Sequence, residues 1–270
     1  MWKIQLFELN YNELEKKAVS DVLDSGWITM GQNIIDFEKS FGSMIGEGIM
    51  CSAVSSGTAA MHLAFLSLDI KNGDEVIIPA LTFVSDANCV KLMNATPVLA
   101  DCGSDDNWNV TAESLSKVIT NKTKAIVVVH YAGYPCDMDP IVELCKEHNI
   151  FIIEDSACAV KSFYKGKACG TIGDMGMWSF DAMKTLSTAD GGMMYIKDLK
   201  LNIVLHSSRP KKLKDVDIYL VDTYGETKKF YNSSNVVFMG KSLIGKGGQN
   251  PLEPARHGAA VLHGPNIDNF

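Results

Sequence analysis

The sequence has no long apolar run and no closely spaced cysteine pair. No segment approaches the ~20 apolar residues that a membrane helix needs, and residues 1–8 lack the uninterrupted apolar core of a signal peptide. The seven cysteines show no C-x-x-C spacing, so they predict reduced thiols rather than a metal site. We therefore expect a cytoplasmic chain with no membrane span and no bound metal.

Basic residues are scarce in the first 200 positions. The whole chain has 25 Lys and Arg against 32 Asp and Glu, a net charge of −7. Residues 201–270 hold nine basic and six acidic residues (+3), which leaves 16 basic and 26 acidic residues (−10) in residues 1–200. An acidic region argues against nucleic acid as a partner. The shift in charge, with all cysteines in the first part, is a hint of two regions of different origin.

Apolar strands alternate with amphipathic helices over most of the chain. This pattern predicts βαβ units and a mostly parallel sheet covered on both faces, a three-layer α/β/α domain over residues 1–205. The predicted strands are 49–54, 75–79, 96–101, 124–130, 150–154, 177–180 and 192–196. The predicted helices are 12–23, 34–44, 58–68, 84–93, 112–119 and 139–148.

The pattern restarts after residue 213. It predicts strands at 216–221, 236–240 and 260–262, a helix at 225–231 and a glycine-rich loop at 245–254. We therefore expect a second region, 209–270, joined to the first near residues 203–212.

Three chemical groups occur in order along the predicted sheet. Asp155 ends a strand, a Ser-Gly-Thr turn at 56–58 opens a helix, and Lys184 lies in a loop that follows Ser179. Ligands of open α/β sheets bind at the carboxyl ends of the strands, and a helix N-terminus suits a phosphate. A carboxylate, a phosphate site and an amine are what a pyridoxal phosphate enzyme needs, the lysine serving as Schiff-base former and proton carrier.

Each of these residues alone has a more ordinary interpretation. Asp155 is typical of a solvated turn, Ser56 of a simple helix cap and Lys184 of a protein surface. Phe83 and Cys158 are typical of core packing. Their order and spacing on predicted strand ends favour the cofactor site, in which Phe83 could stack on a flat ring.

The first region resembles the DegT/StrS family of pyridoxal-phosphate sugar aminotransferases, which has the fold-type-I large domain. The matching stretches are 25–31, 56–60, 73–77, 79–84, 130–133, 153–157, 173–174, 179–184 and 190–192. The resemblance implies a cytoplasmic protein from a homodimeric family, one that binds pyridoxal 5′-phosphate, a nucleotide-linked keto-sugar and an amino-acid amine donor in surface polysaccharide synthesis. It also implies that the family's small C-terminal domain is missing, so that the large domain is truncated.

The resemblance assigns a role to each matched site residue. It makes Lys184 the catalytic amine and Asp155 the partner of the ring nitrogen, with Phe83 stacked on the ring. It places the phosphate at Ser56, Gly57, Thr58 and Ser179. Cys158 stands where Gln or His usually contacts the phenolic oxygen, and Asp181 stands where His is common; these departures bear on cofactor electronics and sugar specificity.

The second region resembles the C-terminal half of Kdo transferase, a GT-B glycosyltransferase that adds 3-deoxy-manno-octulosonic acid to lipid A. The matching stretches are 222–226, 240–243, 247–255, 264–266 and 269–270. The resemblance implies a partial Rossmann-like fragment in which Gly248, Asn250 and Glu253 contact a nucleotide-sugar. The chain would then be a chimera of two half-domains.

Three other functions stay open at this point. The Kdo transferase fragment could define the function. The first region could be another fold-type-I lyase, such as an aldolase or a desulfurase, although no cysteine follows Cys169 to serve a desulfurase. It could also be a remnant that binds cofactor without turnover.

Overall fold

The computed structural model describes residues 8–29 and 31–197 and four short strands beyond them. The chain divides into two compact units, Met1–Lys197 and Asp198–Phe270. Within the described residues, no helix is long and apolar enough to cross a membrane. The predicted domain limits, 1–205 and 209–270, stay a prediction.

The first unit is built on a seven-stranded sheet with the order β1-β9-β8-β5-β4-β2-β3. Strands β3, β2, β4, β5 and β8 run parallel to one another, while β9 is antiparallel to both β8 and β1. The mostly parallel sheet predicted from the sequence is confirmed. The strands are β1 (Ser52–Val54), β2 (Glu75–Pro79), β3 (Thr96–Ala100), β4 (Thr123–Val129), β5 (Phe151–Asp155), β8 (Met175–Ser179) and β9 (Gly192–Ile196).

Six helices accompany this sheet in the described residues. Polar caps define two of their starts: Asn12 forms a capping box with Glu15 before α1, and Thr111 forms one with Ser114 before α5. Asn149, in the left-handed conformation, ends α6. The helices are α1 (Glu13–Asp24), α2 (Gln32–Ile45), α3 (Gly57–Ser67), α4 (Ser85–Leu92), α5 (Ala112–Ser116) and α6 (Met138–His148).

Helices cover both faces of the sheet. Ile153 and Met177 point to the face covered by α3 and α4, where they join a core with Met61 and Phe65. The alternate strand residues form a second core with α5 and α6 and a third with α2, in which the Phe41 and Trp178 ring centroids are 5.1 Å apart. Since successive strand residues point to opposite faces, this arrangement confirms the predicted α/β layering.

Some predicted elements differ from the structure. Helix α1 forms where predicted, but its apolar residues are not buried: Leu14 is 74% exposed and Leu23 is 64% exposed. Strand β1 begins three residues later than predicted, and α5 ends at Ser116 rather than 119. A short hairpin of β6 (Phe163–Tyr164) and β7 (Lys167–Ala168) and a 3-10 turn, Tyr131–Gly133, were not predicted.

The second unit is described only in its strands. Strand β10 (Ile203–Leu205) pairs in parallel with β11 (Ile218–Leu220), and β12 (Val236–Phe238) pairs in parallel with β13 (Ala260–Leu262). The strands predicted at 216–221, 236–240 and 260–262 are therefore confirmed. The predicted helix 225–231 and loop 245–254 lie outside the described residues, as do Gly248, Asn250 and Glu253.

Candidate functional site

A cavity of about 260 Å³ lies where β5 and β8 end and α3 begins. It is lined by Asp155, Lys184 and Phe83, together with Ser56, Gly57, Thr58 and Ser179. A neighbouring cavity of about 360 Å³ shares Phe83, Asp155 and Lys184 and adds Cys158. The structure thus brings together every site residue predicted in the first region.

The N-terminus of α3 forms one wall of this cavity. The Ser56 hydroxyl caps the helix by accepting a hydrogen bond from the N–H of Ala59 at 3.1 Å. The N–H groups of Gly57 and Thr58, the first two helical residues, have no acceptor within the helix. Because both residues line the cavity, this wall can offer N–H donors and the positive end of a helix dipole to an anion.

Two glycines allow this wall to approach the sheet. A Cβ added to Gly57 would lie 2.9 Å from Cβ of Ser179 on β8. A Cβ added to Gly192 on β9 would lie 2.5 Å from the carbonyl carbon of Ser56. Real Cβ atoms do not come this close to their neighbours, so the position of the turn depends on both glycines.

Asp155 is a buried carboxyl group at the end of β5, with 4% of its surface exposed. Its Oδ1 accepts a hydrogen bond from the N–H of Ala157 at 2.8 Å. Burial raises the pKa of Asp155, and the Ala157 N–H and the nearby charge of Lys184 oppose that rise. Such a carboxylate is stabilised in its charged form by a cation placed in the cavity.

Lys184 lies in the loop between β8 and β9. Phe180, buried in the third core, fixes both ends of this loop: its N–H donates to the carbonyl of Gly191 and its carbonyl accepts from the N–H of Thr188, each at 2.9 Å. The Nζ of Lys184 contacts the Sγ of the exposed Cys158 at 3.5 Å. The loop therefore holds an amine at the cavity, beside a thiol and near a buried carboxylate.

A buried hydrogen-bond network behind the cavity was not predicted. Glu154 is fully buried, and its carboxylate accepts from the N–H groups of Gly170 (2.8 Å), Ile172 and Gly173 (both 2.6 Å). It also contacts Nε2 of the buried His130 at 2.8 Å.

The His130 imidazole has one proton in this network. The N–H of Cys136 donates to its Nδ1 at 3.1 Å, so Nδ1 carries no proton and Nε2–H donates to Glu154. Strand β5 therefore places a carboxylate on each face of the sheet, Asp155 towards the cavity and Glu154 into this network.

Asp86, in the first turn of α4, is a second site feature that was not predicted. It is fully buried, and its two carboxyl oxygens are hydrogen-bonded to the hydroxyl of Thr82 (2.5 Å) and to that of Ser85 (3.4 Å). Burial and the negative charge of Asp155 raise the pKa of Asp86 to about 7. An Asp after Thr-Phe-Val-Ser is typical of an ordinary first-turn residue, so its burial beside the site could not be predicted from this pattern.

Comparison with known proteins gives one family. The model of the DegT/DnrJ/EryC1/StrS aminotransferase family matches residues 10–221. A GDP-perosamine synthase of Escherichia coli O157:H7 is 43% identical over 199 residues, 73% of this chain and 54% of that protein. A dTDP-4-dehydro-2,3,6-trideoxy-D-glucose 4-aminotransferase of Saccharopolyspora spinosa is 41% identical over 188 residues, 69% of this chain and 49% of that protein. The chain spans about half the length of the curated relatives it matches.

Solved structures agree with these relatives. An aminotransferase of Psychrobacter cryohalolentis is 41% identical with a TM-score of 0.67, over 70% of this chain and 48% of that one. A putative sugar aminotransferase of Streptococcus pneumoniae, in its PLP form, is 33% identical with a TM-score of 0.68, over 73% of this chain and 53% of that one.

Proposed function

Because the chain belongs to the DegT/DnrJ/EryC1/StrS aminotransferase family, we propose that its first unit binds pyridoxal 5′-phosphate in the cavity beside Lys184. We further propose that it serves transamination of a nucleotide-linked keto-sugar, with an amino acid as amine donor. The observation that carries the proposal is the placement of Lys184, Asp155 and the N-terminus of α3 around one cavity.

The residues present fit the cofactor. The uncapped N–H groups of α3, with the hydroxyls of Thr58 and Ser179, would hold its phosphate. Asp155 would accept a hydrogen bond from its ring nitrogen, and Phe83, which is 67% exposed and lines both cavities, would cover the ring. When bound, pyridoxal phosphate supplies an aldehyde that reacts with amines and a ring that withdraws electrons from the substrate carbon.

Lys184 is the residue we assign to covalent attachment and proton transfer. Lys184 lines both cavities, so its amine can hold the cofactor in one and carry a proton towards a substrate in the other. The charge of Asp155 favours a protonated ring nitrogen, because an anion in a buried site stabilises a nearby cation. Cys158 contributes a weak hydrogen-bonding group beside Lys184.

The substrate class is supported by the relatives. The names of both curated relatives reported above contain a nucleotide-diphosphate sugar. The homodimer implied by the family resemblance belongs to the same proposal, as does a role in surface polysaccharide synthesis.

The finer prediction for residues 209–270, a Kdo transferase fragment joined as a chimera, is supported only by its sequence motifs. The family match reaches residue 221, so 209–221 also aligns with the aminotransferases.

Reductive trapping tests the proposal. The full chain is mixed with pyridoxal phosphate, treated with borohydride and digested, and the modified peptide is identified by mass spectrometry. We expect the label on Lys184, no label in Lys184→Ala, and normal labelling in Lys91→Ala, a control on the exposed end of α4. Label distributed over many lysines, with no loss in Lys184→Ala, would overturn the cofactor assignment.

A second assay separates a working enzyme from a cofactor-binding remnant. The unreduced chain, loaded with pyridoxal phosphate, is incubated with glutamate and a nucleotide-linked keto-sugar, and the amino-sugar product is sought by mass spectrometry. Product formation that requires Lys184 supports transamination. Specific labelling at Lys184 without any amine transfer would favour the remnant.

A further inference from the structure

Asp86 is a buried acidic side chain that has no cationic partner within the described part of the chain. Its side chain is fully buried, and its hydrogen-bond partners are two neutral hydroxyls, those of Thr82 and Ser85. Among the described residues, no Lys, Arg or His forms an ion pair with it. An ionised carboxylate in such a place lacks the partner that normally offsets its loss of hydration.

Opposing effects determine whether Asp86 is ionised or neutral. Its place in the first turn of α4 favours the ionised form through the helix dipole. Burial and the neighbouring Asp155 favour the neutral form, and both raise its pKa to about 7. The burial effect is the larger, because a helix end stabilises a charge far less than removal from water destabilises it.

Asp155 is better placed to carry a negative charge. It accepts a backbone N–H from Ala157, and Lys184 lies close enough to lower its pKa. The hydroxyl of Thr82, in contrast, can accept a hydrogen bond from a protonated Asp86 as readily as it can donate one to an ionised Asp86. Two adjacent buried carboxyl groups do not ionise together at low cost, so the proton goes to the less stabilised of the two.

We propose that Asp86 is a positioning residue that holds a proton as a neutral carboxylic acid, donates a hydrogen bond to the hydroxyl of Thr82 and thereby leaves Asp155 as the single negative charge of the site. The proposal rests on the proposed function, in which Asp155 meets a ring nitrogen. If Asp155 alone is ionised, its carboxylate can accept a hydrogen bond from the ring N–H. If Asp86 were ionised as well, repulsion between the two carboxylates would favour protonation of Asp155, which could then no longer accept that hydrogen bond. Thr82 lines the second cavity, so the hydrogen bond also links Asp86 to the site wall.

The other titratable groups around the pair are few in the described part of the chain. The charge of Lys184 lowers the pKa of Asp155, whereas the side chain of His130 lies in the hydrogen-bond network of Glu154 and Cys136, on the other face of the sheet. Cys89 lies on the same helix as Asp86, and burial raises the pKa of its thiol to about 11.

Infrared spectroscopy of the cofactor-free chain tests the proposal. Aspartate labelled with ¹³C in its carboxyl group separates the acid band of Asp from that of Glu. We expect a protonated-Asp band below pH 7 that disappears as the pH rises through about 7, and that is absent in Asp86→Asn. Asp139→Asn, at an exposed carboxylate paired with Lys165, should leave the band unchanged.

Asp155→Asn should shift the infrared band in pH, whereas Asp86→Asn should abolish it. Removing the neighbouring charge should move the disappearance of the band to lower pH without abolishing it, a change that a merely structural role of Asp86 would not cause. A wild-type spectrum without the band, or a band lost in Asp155→Asn but kept in Asp86→Asn, would overturn the proposal. Because no cofactor is present, these results are independent of the labelling of Lys184.

Discussion

Replacing Glu154 by Gln should strongly destabilise the first unit although it changes only one oxygen to an NH2 group. The Glu154 carboxylate accepts four hydrogen bonds, two at each oxygen. In Glu154→Gln the amide oxygen can still accept the hydrogen bonds from the N–H groups of Ile172 and Gly173. The NH2 group, itself a donor, would face the N–H of Gly170 and the Nε2–H of His130, which would both lose their acceptor. Flipping the amide only exchanges the two pairs.

The magnitude follows from the donors left without an acceptor. Each buried unsatisfied donor costs about 1–3 kcal/mol, so two cost about 2–6 kcal/mol. His130 cannot relieve the conflict by moving its proton, because Nδ1 must stay free to accept from Cys136. Since a domain is stable by only about 5–15 kcal/mol, this single change should remove a large share of the stability.

Urea unfolding followed by circular dichroism measures the effect. The matched control is Glu113→Gln, which removes one charge from an exposed pair with Lys117 and should cost less than about 1 kcal/mol. If the unfolding free energy has the same slope against urea concentration in the wild type and in both variants, the same structure unfolds in all three proteins. If Glu154→Gln loses no more stability than the control, the network does not hold the fold as argued.

Three other perturbations test the site. Because the pKa of Asp86 rises from 3.8 to about 7 on folding, the folded chain binds the extra proton; its stability should fall with rising pH across that window, by up to about 1.4 kcal/mol per pH unit. That slope should be absent in Asp86→Asn when urea unfolding is repeated at several pH values. Gly57→Ala places a Cβ 2.9 Å from that of Ser179; we expect a loss of about 1–3 kcal/mol in unfolding free energy and weaker pyridoxal phosphate binding by absorbance titration, and unchanged values would contradict the packing argument. Phe83→Leu should leave stability nearly unchanged, because the ring is exposed, yet raise the Kd for pyridoxal phosphate up to about tenfold through lost stacking; an unaltered Kd would remove Phe83 from the site.

Much of the first unit could be predicted because its strands are continuous apolar segments buried on both faces. The strands β2, β4 and β5 follow directly from this pattern. Strand β1 is shorter than its apolar run, because its ladder with β9 extends only over Ser52–Val54. The β6–β7 hairpin was missed because each strand has two residues, and its turn relies on Lys165 and Gly166 in the left-handed region.

The site could be predicted where chemistry sits at a strand end or a helix start, as it does for Asp155 and Ser56. Asp86 and Glu154 could not be predicted in the same way. The state of a buried carboxyl group depends on groups from distant parts of the chain: Gly170 donates a hydrogen bond to Glu154, and the charge of Asp155 raises the pKa of Asp86. The residues next to Asp86 or Glu154 in the sequence therefore do not predict these interactions.

The pairing of β1 with β9 has a consequence for the order of folding. Ser52 meets Met194, and β9 is the only partner of β1 in the described sheet. During synthesis β2, β3, β4, β5 and β8 can pair as they emerge, whereas β1 must wait until residues 192–194 have left the ribosome. The turn that opens α3, which directly follows β1, should therefore be fixed last, so that the wall proposed to hold the phosphate forms only when the whole first unit has been made.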